Sequence, residues 1–159
     1  MMKKYLRTFL SLSLCLSFFY SFSQPKADTA KANKEAFSTF NDYLAAYKEN
    51  DMSKAIGYFS NSKDFIIFAN GKAFNYEEFT ASVRNFSSQI KKRLLRYDTI
   101  YIRNIDENAV LIMGPLHESV TDTNDRQFEL DVTASIMMLK REGQWKITYV
   151  TQVVQPTSN

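Results

Sequence analysis

Asn75-Tyr76-Glu77-Glu78-Phe79-Thr80-Ala81-Ser82-Val83-Arg84-Asn85-Phe86-Ser87-Ser88-Gln89-Ile90 decides the fold, together with the change of rhythm that follows it. Asn75 and Glu78 stand in a capping-box arrangement, and Tyr76, Phe79, Val83, Phe86 and Ile90 recur at spacings of 3, 4, 3 and 4, which is one face of an amphipathic helix. After Ile90 the period falls to 2. Three turn clusters, Asp106-Glu107-Asn108, Asp122 to Asp125 and Glu142-Gly143, then divide the chain into four strands of roughly ten residues each. Gly114-Pro115 interrupts the second of them, and a residue that cannot donate to a ladder predicts a bulge that bends the sheet.

Upstream, Phe37, Phe40, Leu44 and Tyr47 form a helical stripe between Ala27 and Asn50, widened by Ala36 and Tyr43. Asp51 is placed to cap a second short helix whose Met52, Ala55, Ile56 and Phe59 share a face. Phe65 to Ala69 reads as a strand, and Asn70-Gly71 turns it back into Lys72-Ala73-Phe74 as a hairpin. Helices first and strands after predict an α+β architecture, with N-terminal helices packed on the concave face of a curved antiparallel sheet. Pro156 to Asn159 reads as a frayed tail.

Lys3, Lys4 and Arg7 precede an apolar run from Thr8 to Tyr20, followed by Ser21-Phe22-Ser23. This is the layout of a cleaved export signal over residues 1–23, with the cut near Ser23/Gln24. Its apolar run is about 13 residues, short of the roughly 20 a spanning helix needs. Cys15 follows Leu14 rather than a small residue, so lipid attachment is disfavoured. One domain is then expected over 24–159, in the periplasm or outside a bacterial cell.

The full chain carries 20 Lys and Arg against 17 Asp and Glu, but residues 1–23 hold three bases and no acid. The mature chain is therefore formally neutral, and nothing in its net charge favours nucleic acid or a membrane surface. The one basic cluster, Lys91, Lys92, Arg93 and Arg96, reads as long cationic side chains blunting a sheet edge, with an anion- or partner-binding patch as the alternative. The only Cys departs with the signal, leaving no disulfide and no thiol chemistry.

Tyr43-Leu44-Ala45-Ala46-Tyr47, the turn Glu49-Asn50-Asp51, Ala55-Ile56 with Tyr58-Phe59, Phe65 to Phe68, Asn70-Gly71, the helix from Asn75, and Gly143-Gln144-Trp145-Lys146-Ile147 follow in an order that resembles the SnoaL-like branch of the nuclear-transport-factor-2-like superfamily. The resemblance covers about residues 34–154. It implies a cystatin-like, cone-shaped α+β barrel around a pocket, and a homodimer paired through the outer sheet face. Ketosteroid isomerases of the superfamily use a tyrosine of the first helix as oxyanion donor, and Tyr43 falls there. Their shuttle Asp falls near Ile67 or Phe68, neither of which can carry a proton, and their second acid near Ala134 or Ser135, where no carboxylic acid stands. The His that SnoaL-like enzymes often carry in the last strand is matched by Tyr149-Val150-Thr151.

Candidate chemistry is correspondingly sparse. His117 is the only His, too few for a zinc site, and it serves either as a general base or as a half-exposed strand residue. Glu118 alternates to the opposite face. Asp131 and Glu129 share a face that is either solvent-exposed or, with a buried Asp131, part of the pocket. Asp64 opens a strand and reads best as a turn cap. Tyr43 and Tyr47, four apart, with Phe68 and Tyr149, are the expected ligand-contacting aromatics. No phosphate-cradling Gly loop, nucleophile elbow or calcium loop occurs, so neither cofactor nor metal is expected. The reading is an exported protein that holds a small apolar or amphipathic ligand in an aromatic pocket. The alternatives are an isomerase, cyclase or dehydratase acting on a small carbonyl substrate through Tyr43 with His117 or Asp131, and a protein-interaction module.

Overall fold

The computed structural model describes residues 26–157. The expected export signal at 1–23, Cys15 and the last two residues lie outside the described residues. Helix α1 (Lys26–Lys48) is followed by α2 (Met52–Ile56), the hairpin β1 (Ile66–Ala69) and β2 (Lys72–Phe74), and α3 (Tyr76–Ser87). Five strands complete the chain: β3 (Ile90–Tyr97), β4 (Tyr101–Asp106), β5 (Ala109–Asp122), β6 (Gln127–Arg141) and β7 (Gln144–Pro156).

Local chemistry sets the helix ends. The Asp51 side chain accepts from the Lys54 amide at 3.0 Å and starts α2. Asn75 Oδ1 accepts from the Glu78 amide at 2.9 Å while Glu78 Oε2 accepts from the Asn75 amide at 3.1 Å, completing the capping box of α3. Such a cap is worth about 1 kcal/mol. Helix α3 ends at Ser87, one turn short of the expected stripe, because Ile90 is already buried as the first residue of β3. Asn70 and Gly71 both take positive φ, 49° and 81°, the requirement of the tight hairpin turn that the sequence foretells.

The sheet runs β2-β1-β7-β6-β5-β3, with β4 also on β5. Two expectations change. The sheet is mixed, not wholly antiparallel, because β1 pairs parallel to β7, Ile67 beside Val150. Nor does it close into a barrel: its path ends at β2 and β3, leaving an open cone. Helices α1 and α3 cover the concave side, where Phe40, Leu44, Phe59, Ile67, Ile112 and Ile147 form much of the core. The tail expectation also shifts by a residue, since Pro156 still pairs with Leu130.

The first long strand of the period-2 region is two strands. β3 pairs with the second half of β5 and β4 with the first half, separated by Asp98-Thr99-Ile100. Gly114-Pro115 makes no bulge against β6, where register is unbroken from Gly114↔Ala134 to Pro115↔Thr133. Its role lies on the other edge. A Cβ at position 114 would sit 2.4 Å from the Thr99 carbonyl oxygen, so only glycine lets the β3–β4 connection cross β5 this closely. Gly114→Ala should therefore destabilise the fold by about 1–3 kcal/mol in urea unfolding, whereas the same change at Gly57, where the nearest backbone oxygen is 3.1 Å away, should be milder.

Candidate functional site

Between the helices and the concave sheet lies an open cavity of about 380 Å³. Apolar side chains make most of its wall, including Phe40, Ile67, Phe79, Ile112, Val132 and Ile136. Tyr43 and Tyr47 of α1 reach it side by side, their ring centroids 5.9 Å apart. Glu118 of β5 is the one charged residue among the described residues that line it.

Glu118 lies where a carboxylate is expensive. It is 4% exposed on the same alternating face of β5 as Val110, Ile112 and Val120. Its Oε1 accepts from Arg93 Nε at 2.6 Å, and the Tyr47 hydroxyl donates to the carboxylate at 3.3 and 3.4 Å. Burial pushes the Glu118 carboxyl above the usual range, and Arg93 and then the Tyr47 hydrogen bond pull it back part of the way. Arg93 is itself 3% exposed. Its guanidinium lies 3.9 Å from the Tyr47 ring centroid, donates from Nη1 to the Tyr47 carbonyl at 2.9 Å, and meets Asn50 Oδ1 at 3.3 Å.

The edge-blunting expectation is thus corrected for Arg93. β3 is the sheet edge, and Lys91, Lys92 and Arg96 are exposed along it. A register shift between Ile90 and Lys92 puts Arg93 on the buried face with Ile90. An odd and an even position come to share a face, which strict alternation does not foresee.

Tyr43 lines the cavity, and among the described residues its hydroxyl has no hydrogen-bond partner. Burial, then the Glu118 charge, raise the pKa of both Tyr43 and Tyr47, so both remain neutral phenols. Phe68 and Tyr149 do not belong to this site. They pair with each other at 6.4 Å on the outer sheet face, 37% and 38% exposed, because their neighbours Ile67 and Val150 take the inward positions. Ala134 lines the cavity in place of an acid.

His117 and Asp131 also face outward, opposite Glu118. They are cross-strand partners, with His117 Nδ1 2.5 Å from Asp131 Oδ1 and Nε2 3.2 Å from Asp98 Oδ2. The pocket-base role considered for His117, and the buried pocket-acid role for Asp131, are corrected on this geometry. Asp64 meets Arg141 at 2.9 Å on the surface. No group of His, Cys, Asp or Glu among the described residues is arranged to hold a metal ion.

Comparison with known proteins fits this geometry. The SnoaL-like domain family matches residues 37–152, and the chain belongs to that family. No curated protein matches it by sequence. Solved structures share the fold. A nuclear transport factor 2 (NTF2-like) superfamily protein from Salmonella enterica is 16% identical, covering 82% of this chain and 94% of its own at a TM-score of 0.69. Hexachlorocyclohexane dehydrochlorinase LinA-type3 from Novosphingobium barchaimii is 11% identical over 84% and 94%, with a TM-score of 0.66. A conserved protein from Planctomyces limnophilus is 19% identical over 77% and 95%, with a TM-score of 0.65.

The outward His117 gives a pH test. Hydrogen bonds that the His117 ring donates to Asp131 and then to Asp98 raise its pKa above the ordinary value, so its contribution to stability is full in acid and is lost as pH rises through the raised value. Thermal unfolding between about pH 5 and 8 should show that loss in the wild type, and His117→Gln should flatten it. A slope unchanged in the variant would show that His117 does not supply it.

Proposed function

We propose that the chain binds a small, largely apolar molecule inside the cone. The observation that supports this most is the cavity of about 380 Å³ whose largely apolar wall carries one carboxylate, Glu118, and the Tyr43 hydroxyl, which has no hydrogen-bond partner among the described residues. A wall of aromatic and aliphatic groups supplies affinity, and a few convergent polar atoms fix orientation. Membership of the SnoaL-like family supports a pocket-bearing fold and leaves the ligand open.

A second reading is an enzyme of proton transfer, and Glu118 is what favours it. It supplies the acid–base group beside Tyr43 that His117 and Asp131, on the outer face, do not. In this reading a substrate oxygen accepts from the Tyr43 hydroxyl while the Glu118 carboxylate takes a proton from the adjacent carbon or hydroxyl. A fold relative, LinA-type3, is named as a hexachlorocyclohexane dehydrochlorinase. Export to the periplasm or beyond, and a homodimer through the outer sheet face where Phe68, Tyr149 and Val153 are exposed, complete the proposal.

Native mass spectrometry of the chain purified from its own host tests the first reading. A dimer mass with a small co-purified molecule is expected, and an empty monomer would contradict it. For the second, solvent-deuterium exchange into small ketones followed by NMR should fall by about 100-fold in Glu118→Gln and Tyr43→Phe; equal exchange in wild type and Glu118→Gln would sink it.

A further inference from the structure

We infer that the ligand of this cone is an uncharged alcohol or phenol with an apolar body, its hydroxyl donating to Glu118 and accepting from Tyr43, and that the cone rejects anions. The inference rests on the cavity being a ligand site and adds the chemistry it selects.

Six described residues on the cavity wall carry polar side-chain atoms: Tyr43, Tyr47, Ser82, Tyr97, Glu118 and Gln152. Only Glu118 is charged, and its counter-ion stands behind it. The Arg93 side chain is fully enclosed and is not part of the wall. Its guanidinium is stacked against Tyr47 and lies 5.9 Å from the Phe86 ring. Nε is committed to Glu118 and Nη1 to the Tyr47 carbonyl, while Nη2 is buried without a partner. The ion pair therefore shows its negative end to the cavity. An incoming carboxylate or phosphate meets the Glu118 oxygens first and finds no cation on the wall, in surroundings that screen poorly.

The same geometry asks for a donor. A carboxylate offers about four lone-pair sites. Arg93 takes one at 2.6 Å, and Tyr47 makes a long contact with both oxygens. Acceptor capacity remains on a side chain that burial has stripped of bulk water. Beside it, the Tyr43 hydroxyl has no partner among the described residues. An ether or ketone can satisfy Tyr43 alone. A hydroxyl group satisfies both, donating one hydrogen bond and accepting the other.

The test is isothermal titration calorimetry with three matched probes: 2-naphthylmethanol, its methyl ether, and 2-naphthoate. In the wild type the alcohol should bind about tenfold or more tightly than either other probe, the ether losing one charge-assisted hydrogen bond and the naphthoate meeting a like charge. Glu118→Gln keeps the side chain's shape and leaves Arg93 uncompensated, so naphthoate should overtake the alcohol. Because that variant strains the fold, the double variant Arg93→Met with Glu118→Leu provides a second arm, in which alcohol and ether should converge. Naphthoate or ether binding the wild type as tightly as the alcohol would overturn the inference while leaving the cavity a ligand site. Failure of all three probes would overturn that reading too, and the inference with it.

Discussion

The guanidinium of Arg93 ties together the parts that make the cone. Through Nη1 it closes the carbonyl end of α1 at Tyr47, where a helix leaves acceptors unpaired and favours positive charge. It also meets Asn50, which takes a left-handed φ of 59° just past that helix and whose amide reaches the carbonyls of Ser87 and Ile90. Through Nε it holds Glu118 on β5. Helices α1 and α3 and strands β3 and β5 thus converge on one enclosed charge. Burying such a pair contributes little net stability, but removing one partner costs about 3–5 kcal/mol because the other is stranded. Its value here is geometric: it fixes the roof at a set height above the sheet.

That height explains why the interior is not filled. The helices pack on the sheet through one core cluster, in which Ala36, Phe40 and Leu44 join Phe59, Ile112 and Ile147. Phe79, Val83 and Phe86 of α3 line the cavity without filling it. The β3–β4 connection, admitted by Gly114, brings Tyr97 and Ile100 to the rim. Fold and hollow are therefore one consequence. What the hollow does depends most on two of the polar groups on its wall, and these come from different elements, Tyr43 from α1 and Glu118 from β5.

Much of this was legible beforehand. The capping box at Asn75, the Asn70-Gly71 turn and the shift from period 3.6 to 2 led to the element order directly, because each is a local signal. The parallel pairing of β1 with β7 is non-local and left no trace in either strand. Tyr43 could be placed because its spacing from the turn at Asn50 is short. Arg93 could not, since a bulge at Ile90/Lys92 reverses the alternation that assigns faces. Glu118 shares parity with Val110, Ile112 and Val120, and an acid on an apolar face was the available signal. His117, the only imidazole, lies on the opposite face. Phe68 and Tyr149 misled for a simpler reason: aromatic strand residues suit a solvent-facing or partner-facing sheet as well as a pocket.

The most direct measurement is a crystal structure of the chain soaked with bromobenzene, read from bromine anomalous scattering. The account predicts a bromine peak inside the cone, between Tyr43 and Ile136, with Arg93 and Glu118 still in contact behind it. Peaks confined to the outer surface, with side chains closing the interior, would contradict it.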